Sequence, residues 1–299
     1  MSFAKKMVRI NSEGNRISCE YSDLCGSIEL LPFMDRFTIK SVLKCSHKRA
    51  VYHVIDKKKG FESVLKVMIN GNIDKDSLDV LKFVKCNKHP NIYEIYEIGE
   101  VGSFFIVLSK YIDGVLFNKF VKTADKKQLI KSIHSVIYAI NYLHRHKICH
   151  VDIKPSNILV DKDNNPKLID FDLARRIRGE YKLEKVIMGT FPYIPKEIFE
   201  DKKYYLKSDV WSFGVSIIKS FYYNIDDSTI DSLSKSTKMT IHDFSNNNPN
   251  FYEEYSNFDC SLFREKIGKK MCNIVTIMVT MDVKDRPTSD QLIKYIKHH

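Results

Sequence analysis

Residues 150–157 read His150-Val151-Asp152-Ile153-Lys154-Pro155-Ser156-Asn157, followed by the apolar run Ile158-Leu159-Val160, a polar turn, and Leu168-Ile169-Asp170-Phe171-Asp172. The pattern is a short hairpin with three oxygen-bearing side chains, Asp152, Asn157 and Asp170, on the loops that flank it. Hard oxygen donors of this kind suit magnesium, which takes one or two protein carboxylates and completes its shell with phosphates and water. Lys154, two residues past the first Asp, adds a cation that can meet the charge of a transferring phosphoryl group. Taken alone, Asp-x-Lys-x-x-Asn is more simply an ordinary polar turn, so the surrounding sequence has to decide.

Upstream, the chain from Phe37 to Val67 reads as strands, with Phe37, Ile39, Val51, Tyr52, Val54, Val64, Leu65 and Val67 supplying the β-branched, aromatic and apolar positions. Leu78, Leu81 and Val84 stand at near-helical spacing and predict a helix over Asp74 to Lys85. Ile92 to Ile98 and Ser103 to Ser109 read as two further strands joined by a turn containing Gly99 and Gly102, after which residues 113–117 leave the strand-rich part. Downstream the pattern is helical: Leu129, Ile133, Val136, Ile137, Ile140 and Leu143 mark one amphipathic helix. Val210 to Phe221 reads as a buried helix, and Met271 to Met281 and Ser289 to Ile296 as closing helices. A strand-rich first third and a helical remainder predict an α+β chain of two lobes.

The hairpin segment resembles the catalytic loop of eukaryotic-type protein kinases, and other motifs follow that family's order over roughly residues 36–297. Ser63-Val64-Leu65-Lys66 is similar to the strand that carries the phosphate-anchoring lysine, and His89-Pro90-Asn91-Ile92 to the segment after the mobile helix. Val107-Leu108-Ser109-Lys110-Tyr111 resembles the hinge, with Ser109 as gatekeeper. Asp170-Phe171-Asp172 stands where Asp-Phe-Gly is usual, Gly189-Thr190-Phe191-Pro192-Tyr193 resembles the substrate-positioning loop, and Ile194-Pro195-Lys196-Glu197 stands where a segment ending Ala-Pro-Glu is usual. Asp209-Val210-Trp211-Ser212-Phe213-Gly214 and Asp285-Arg286-Pro287 are similar to two structural signatures of the large lobe.

The resemblance implies a two-lobed kinase fold with a small β-rich lobe over 36–112, a large mainly helical lobe over 113–299, and an extension over 1–35. It implies ATP and magnesium as cofactors and a protein as substrate. Asp152 would accept or orient the substrate proton, Lys154 would stabilise the γ-phosphoryl group, and Asn157 and Asp170 would hold magnesium. Lys66 would hold the nucleotide phosphates, with Leu43, Val51, Lys110 and Tyr111 also lining the nucleotide site. Glu197 would pair with Arg286, and Asp209 would brace the catalytic-loop backbone. Lysine two past the Asp and the Gly-Thr pair both resemble Ser/Thr rather than tyrosine kinases.

The sequence departs from the family in four places. The three glycines of the phosphate loop align with Lys44, Ser46 and Arg49, so charge from Lys44, Lys48 and Arg49 replaces backbone donors there, or the loop has drifted. The helix acid that pairs with the strand lysine falls on Val80, with Asp76 and Asp79 as the nearby carboxylates. Val151 replaces the arginine that would bind a phosphorylated loop, and Tyr181 is the one hydroxyl in residues 173–189. Asp172 replaces glycine. An active enzyme and a pseudokinase acting as a scaffolding or regulatory protein therefore both remain open.

Composition bounds the rest. With 48 Lys and Arg against 37 Asp and Glu the net charge is +11, which reads as a solvated basic surface; no motif supports a nucleic-acid partner. No apolar run approaches membrane-spanning length, so no membrane partner is expected. Seven cysteines without a CxxC pair, and no secretory pattern at the start, read as single thiols in a cytoplasmic chain. The stretch between Phe221 and Cys260, with seven acidic and two basic side chains, reads as a long mobile loop. Neither the physiological substrate nor the oligomeric state is legible.

Overall fold

The computed structural model describes residues 7–10, 16–19, 31–46, 48–71, 73–222, 251–258 and 260–298. The chain divides into two compact units, one of Met1–Lys88 and Tyr93–Ile112, the other of His89–Ile92 and Asp113–His299.

The first unit is built on a five-stranded antiparallel sheet in the order β3-β4-β5-β7-β6. Its strands are β3 (Phe37–Cys45), β4 (Arg49–Asp56), β5 (Phe61–Ile69), β6 (Ile95–Val101) and β7 (Phe104–Lys110). They follow a separate hairpin, β1 (Met7–Ile10) with β2 (Arg16–Cys19), and a short helix α1 (Leu31–Met34). Alternation of side chains along the strands sends Tyr52 and Val54 of β4, Leu65 and Val67 of β5, and Phe104, Ile106 and Leu108 of β7 into one core with Phe37 and Ala50. Fully burying such a side chain is worth about 1.5–3 kcal/mol. The turn into β7 is made at Gly102, at φ 56°, while Gly99 lies inside β6 opposite Ile106; the expected Gly99 turn is thus corrected.

Helix α2 (Lys75–Cys86) starts where Asp74 accepts a hydrogen bond from the Ser77 amide at 2.9 Å. Its buried face is Ser77, Val80, Leu81 and Val84, so Val80 belongs to the core. Arg36, on the approach to β3, makes a bidentate pair with Asp56 (2.9 and 2.6 Å) and two more bonds to Glu97 (2.7 and 2.8 Å). These bonds pull the Glu97 carboxyl down to about 2, against the opposing effect of burial. Asp56 is fully buried, which pushes its carboxyl up, but the Arg36 guanidinium leaves it lowered.

The second unit is mainly helical. Helices α3 (Phe117–Thr123) and α4 (Lys126–Arg145) follow a short strand β8 (Gly114–Leu116), and β9 (Ile148–Cys149) precedes the segment from His150 to Asn157. Strands β10 (Ile158–Asp161) and β11 (Pro166–Leu168) form the expected hairpin, and β8 adds to β10 as a third strand rather than merely leaving the sheet region. Next come β12 (Arg175–Arg176), β13 (Lys182–Leu183), α5 (Lys196–Asp201), β14 (Lys203–Tyr204) and α6 (Leu206–Tyr222). The chain closes with α7 (Phe251–Ser256), α8 (Ser261–Met278) and α9 (Ser289–His298).

Asp125 and Gln128 cap the start of α4 reciprocally, and α4 buries Leu129, Ile133, Val136, Ile137, Ile140 and Leu143, the stripe read from the sequence. Helix α6 is buried from Ser208 to Ser220, and Ser212, Ser216 and Ser220 each satisfy their hydroxyls on the carbonyl four residues back. Helix α8 starts ten residues before the expected Met271 and kinks at Gly268, at φ 81°. Against the expectation of single thiols, Cys260 and Cys272 are paired, with Cα atoms 5.9 Å apart, while Cys86 and Cys149 are free thiols. The predicted acidic loop lies outside the described residues over 223–250, and so does most of the 1–35 extension. Among the described residues no helix is long and apolar enough to cross a membrane.

Candidate active site

Each unit gathers part of the predicted site. In the first, Lys66 sits in the middle of β5, paired with Val51 of β4 on one side and Val107 of β7 on the other. Residues paired across strands share a face of the sheet, so Val51, Lys66 and Val107 form one row on the face opposite Leu65 and Val67. Leu43 lies at a β-bulge between the Val42/Tyr52 and Lys44/Val51 pairs and is half exposed. The β3–β4 turn closes through the Ser46 amide on the Arg49 carbonyl at 2.8 Å, with the Ser46 hydroxyl at 3.2 Å from both the Arg49 carbonyl and amide. A serine hydroxyl thus ties the turn where the resemblance led to an expected glycine. Lys110 ends β7, exposed, and the Tyr111 ring stacks flat on His53 with centroids 3.7 Å apart. His53 also meets Glu62 at 3.2 Å. That stack had no sequence signal, since His53 lies in β4 and Tyr111 just past β7, far apart in the chain.

In the second unit, Asp152 is the centre of a polar cluster. Its Oδ1 accepts the Thr190 hydroxyl at 2.6 Å, and its Oδ2 accepts Asn157 Nδ2 at 3.0 Å and lies 3.0 Å from Lys154 Nζ. Lys154 Nζ also donates to Thr190 Oγ1 at 2.5 Å. Asn157 gives a second bond to the Asp152 carbonyl at 2.8 Å, which uses its amide hydrogens inward and leaves Oδ1 as its outward atom. The Ile169 amide donates to the Asn157 carbonyl at 2.9 Å, so Asn157 and Asp170 sit at the same end of the β10–β11 hairpin.

The backbone here is held in a costly conformation. Val151 has φ 73° and Asp170 φ 65°, the left-handed region that a β-branched residue such as Val151 especially avoids. Asp209 accounts for Val151: it accepts the His150 amide at 2.7 Å and the Val151 amide at 2.9 Å, and His144 Nε2 lies 3.1 Å from it. Burial pushes the Asp209 carboxyl up, but the His144 bond and charge and the His150 amide outweigh that and leave it lowered. His150 accepts from the Asp152 amide at Nδ1 (3.3 Å) and donates from Nε2 to the Ile169 carbonyl (3.1 Å), linking the two loops. Gly189, at φ 116°, brings Thr190 to Asp152; a Cβ there would lie 3.2 Å from the Val151 carbonyl and 3.1 Å from Ile194.

Behind the cluster, Glu197 and Arg286 form the expected pair, with bonds of 2.7 and 3.0 Å, and Arg286 also reaches the Thr280 and Met281 carbonyls. In the loop without Ser or Thr, Arg175 is buried and pairs with Glu184 at 2.9 Å. Sequence reading quoted Thr190 without its contact to Asp152 and missed His144 and the Arg175–Glu184 pair, because each depends on residues brought together by the fold.

The donor set fits magnesium. Asn157 Oδ1 and Asp170 supply two hard oxygens, as that ion accepts when phosphates and water complete its shell. Among the described residues no cluster of three or more His, Cys, Asp or Glu could hold a metal by itself.

Comparison with known proteins gives a consistent picture. The protein kinase domain family model matches residues 47–296. Calcium-dependent protein kinase 6 of Plasmodium berghei is 28% identical over 271 residues, covering 88% of this chain and 17% of that protein. Serine/threonine-protein kinase pakE of Dictyostelium discoideum is 29% identical over 197 residues, covering 62% and 21%. Serine/threonine-protein kinase CHK1 of Saccharomyces cerevisiae is 34% identical over 155 residues, covering 48% and 29%. The chain thus spans less than a third of the length of each of these relatives.

Proposed function

The chain belongs to the protein kinase domain family and has its two-lobed α+β fold, and on that premise we propose that it is a Ser/Thr protein kinase using ATP and magnesium. The observation that carries this reading is the Asp152 cluster: a carboxylate with a lysine and a threonine hydroxyl bonded to it and to each other. Asp152 is the group that orients the substrate hydroxyl and takes its proton, and general-base help of this kind is worth about 10²–10⁴ in rate. Lys154 meets the charge on the transferring group, and Thr190 fixes the rotamer of Asp152. Asn157 and Asp170 hold the metal, Lys66 the nucleotide phosphates, and Leu43, Val51, Lys110 and Tyr111 the rest of the nucleotide. Magnesium-bound ATP supplies the phosphoryl group and the charge that neutralises it.

We take residues 36–299 as the kinase domain and 1–35 as an extension, working in the cytoplasm, where ATP and magnesium are at hand. The rival reading is a pseudokinase. It is favoured by the β3–β4 turn, where Lys44, Ser46 and Arg49 stand in place of glycines and a Ser46 bond closes the loop. The discriminating experiment is transfer of label from γ-labelled ATP to a serine peptide with magnesium. Incorporation that needs both magnesium and the peptide supports the enzyme; nucleotide binding without incorporation supports the pseudokinase.

A further inference from the structure

The segment from Arg175 to Tyr205 carries cations of two kinds. Arg175 and Lys182 both reach Glu184, at 2.9 and 3.0 Å, Lys196 meets Glu200 at 3.7 Å, and Lys203 meets Asp201 at 3.2 Å. Arg178, Lys185 and Lys202 are exposed, and their side chains make no ion pair or hydrogen bond among the described residues. The carboxylates of the segment are already answered, Glu197 by Arg286 and the others by the first group, except for exposed Glu180.

Two of the uncommitted cations, Lys185 and Lys202, flank exposed apolar side chains, and Arg178 stands on the same segment. Leu183 is 65% exposed and Val186 60%, the two most exposed large hydrophobic side chains among the described residues. Pairing of β13 with β14 and a bond from the Glu184 amide to the Lys202 carbonyl at 3.1 Å set Lys202 across from Glu184, next to Lys185 and Leu183. The same stretch runs directly into Gly189 and Thr190, whose hydroxyl is bonded to Asp152. Lys185 stands five residues before Thr190 and so lies no more than about 18 Å from it along the chain.

We propose that this surface selects the substrate: an acidic protein segment, with an apolar residue among its Asp and Glu side chains, docks on Arg178, Lys185 and Lys202 over Leu183 and Val186. The acceptor hydroxyl then lies within about five residues of the acidic positions, since an extended peptide advances about 3.3 Å per residue. Leu183 and Val186 are more exposed than Tyr181, the exposed ring of the segment, which already packs against Tyr205 and Lys203, and this favours a peptide over a nucleic acid, which would use aromatic rings for stacking. The position of the acceptor at Asp152 rests on the kinase reading above; the docking chemistry does not.

The test uses labelled serine peptides of equal length with Glu and Leu, Gln and Leu, or Lys and Leu around the acceptor, bound to the whole chain and followed by fluorescence anisotropy. Three exposed charge contacts predict that the acidic peptide binds about tenfold tighter than the neutral one at low salt. The advantage should fade toward about 0.5 M salt. Lys185→Glu should weaken the acidic peptide and strengthen the basic one, a reversal that loss of folding cannot produce. Phosphate transfer measured on the same peptides separates the two readings: acidic-selective binding without transfer removes the kinase reading and keeps the docking surface. Equal binding of acidic and basic peptides, or no reversal in Lys185→Glu, overturns the proposal. So does an RNA homopolymer that binds as tightly as the acidic peptide and competes with it, since the surface would then be a general polyanion site.

Discussion

Thr190 donates its hydroxyl hydrogen to Asp152 Oδ1 at 2.6 Å and accepts from Lys154 Nζ at 2.5 Å. One side chain, 38 residues from Asp152 in the chain, therefore holds both the carboxylate and the ammonium group in place. A hydrogen bond to a charged group is worth about 1.5–3 kcal/mol. Thr190→Val, which keeps the shape and removes the donor, should lower kcat by roughly tenfold to a hundredfold with the peptide KM little changed. Thr190→Ser should restore most of it. Steady-state kinetics of the two variants check this, and equal losses would remove the hydroxyl from the account.

Arg286 has no exposed side-chain surface, and Glu197 is 8% exposed. Removing one partner of such a pair leaves the other charge buried and costs about 3–5 kcal/mol. Glu197→Ala should lower the melting temperature by roughly 10 °C, at the 2–4 °C per kcal/mol expected for a chain of this size. A melting temperature within the error of wild type would show that the pair is dispensable.

The Arg36 cluster predicts a pH dependence of stability. The Glu97 carboxyl is lowered from 4.5 to about 2, with Arg36 as the main cause, and Asp56 is lowered despite its burial. A carboxyl lowered on folding contributes stability that is fully present above its unfolded value and lost as the pH falls through its folded one. The contribution of the cluster should therefore be whole above about pH 5 and fade from there toward pH 2. Arg36→Ala should destabilise the protein by about 3 kcal/mol at neutral pH, and less at pH 3, in denaturant titrations. A constant difference across that range would contradict the cluster's role.

The loop between Phe171 and Tyr193 is tied within the chain. Arg175 is buried against Glu184, and the Tyr204 hydroxyl accepts the Met188 amide at 2.6 Å. Val151 leaves no arginine beside Asp152 to receive a phosphate. Phosphatase treatment should then leave activity unchanged, whereas Glu184→Ala, which strands a buried guanidinium, should raise the peptide KM by about tenfold. A large loss of activity on dephosphorylation at Tyr181 would refute this.

Several of these features were legible in the sequence because their signal is local. The α4 stripe repeats every three to four residues. Asp209 and the Glu197–Arg286 pair stand inside short motifs, and the structure shows their contacts as expected. Strand β8 was not legible: three residues are too few to show alternation, and β10 supplies its partner from more than 40 residues away. The early start of α8 was hidden because Gly268 interrupts the helical period. The Cys260–Cys272 pair has no motif at a separation of 12. Thr190 with Asp152, His53 with Tyr111 and Arg36 with Glu97 depend on strand register and loop closure, which no local pattern records.

The central claim is that Asp152 drives phosphoryl transfer, and a side-by-side comparison with Asp152→Asn tests it most directly. Asparagine keeps the size of the side chain and an acceptor oxygen for Thr190 but cannot take a proton. The account predicts that the initial rate of label transfer from γ-labelled ATP to a serine peptide falls by about 10²–10⁴. Calorimetric ATP binding with magnesium and the melting temperature should stay close to wild type. Turnover of Asp152→Asn within a few-fold of wild type would contradict it.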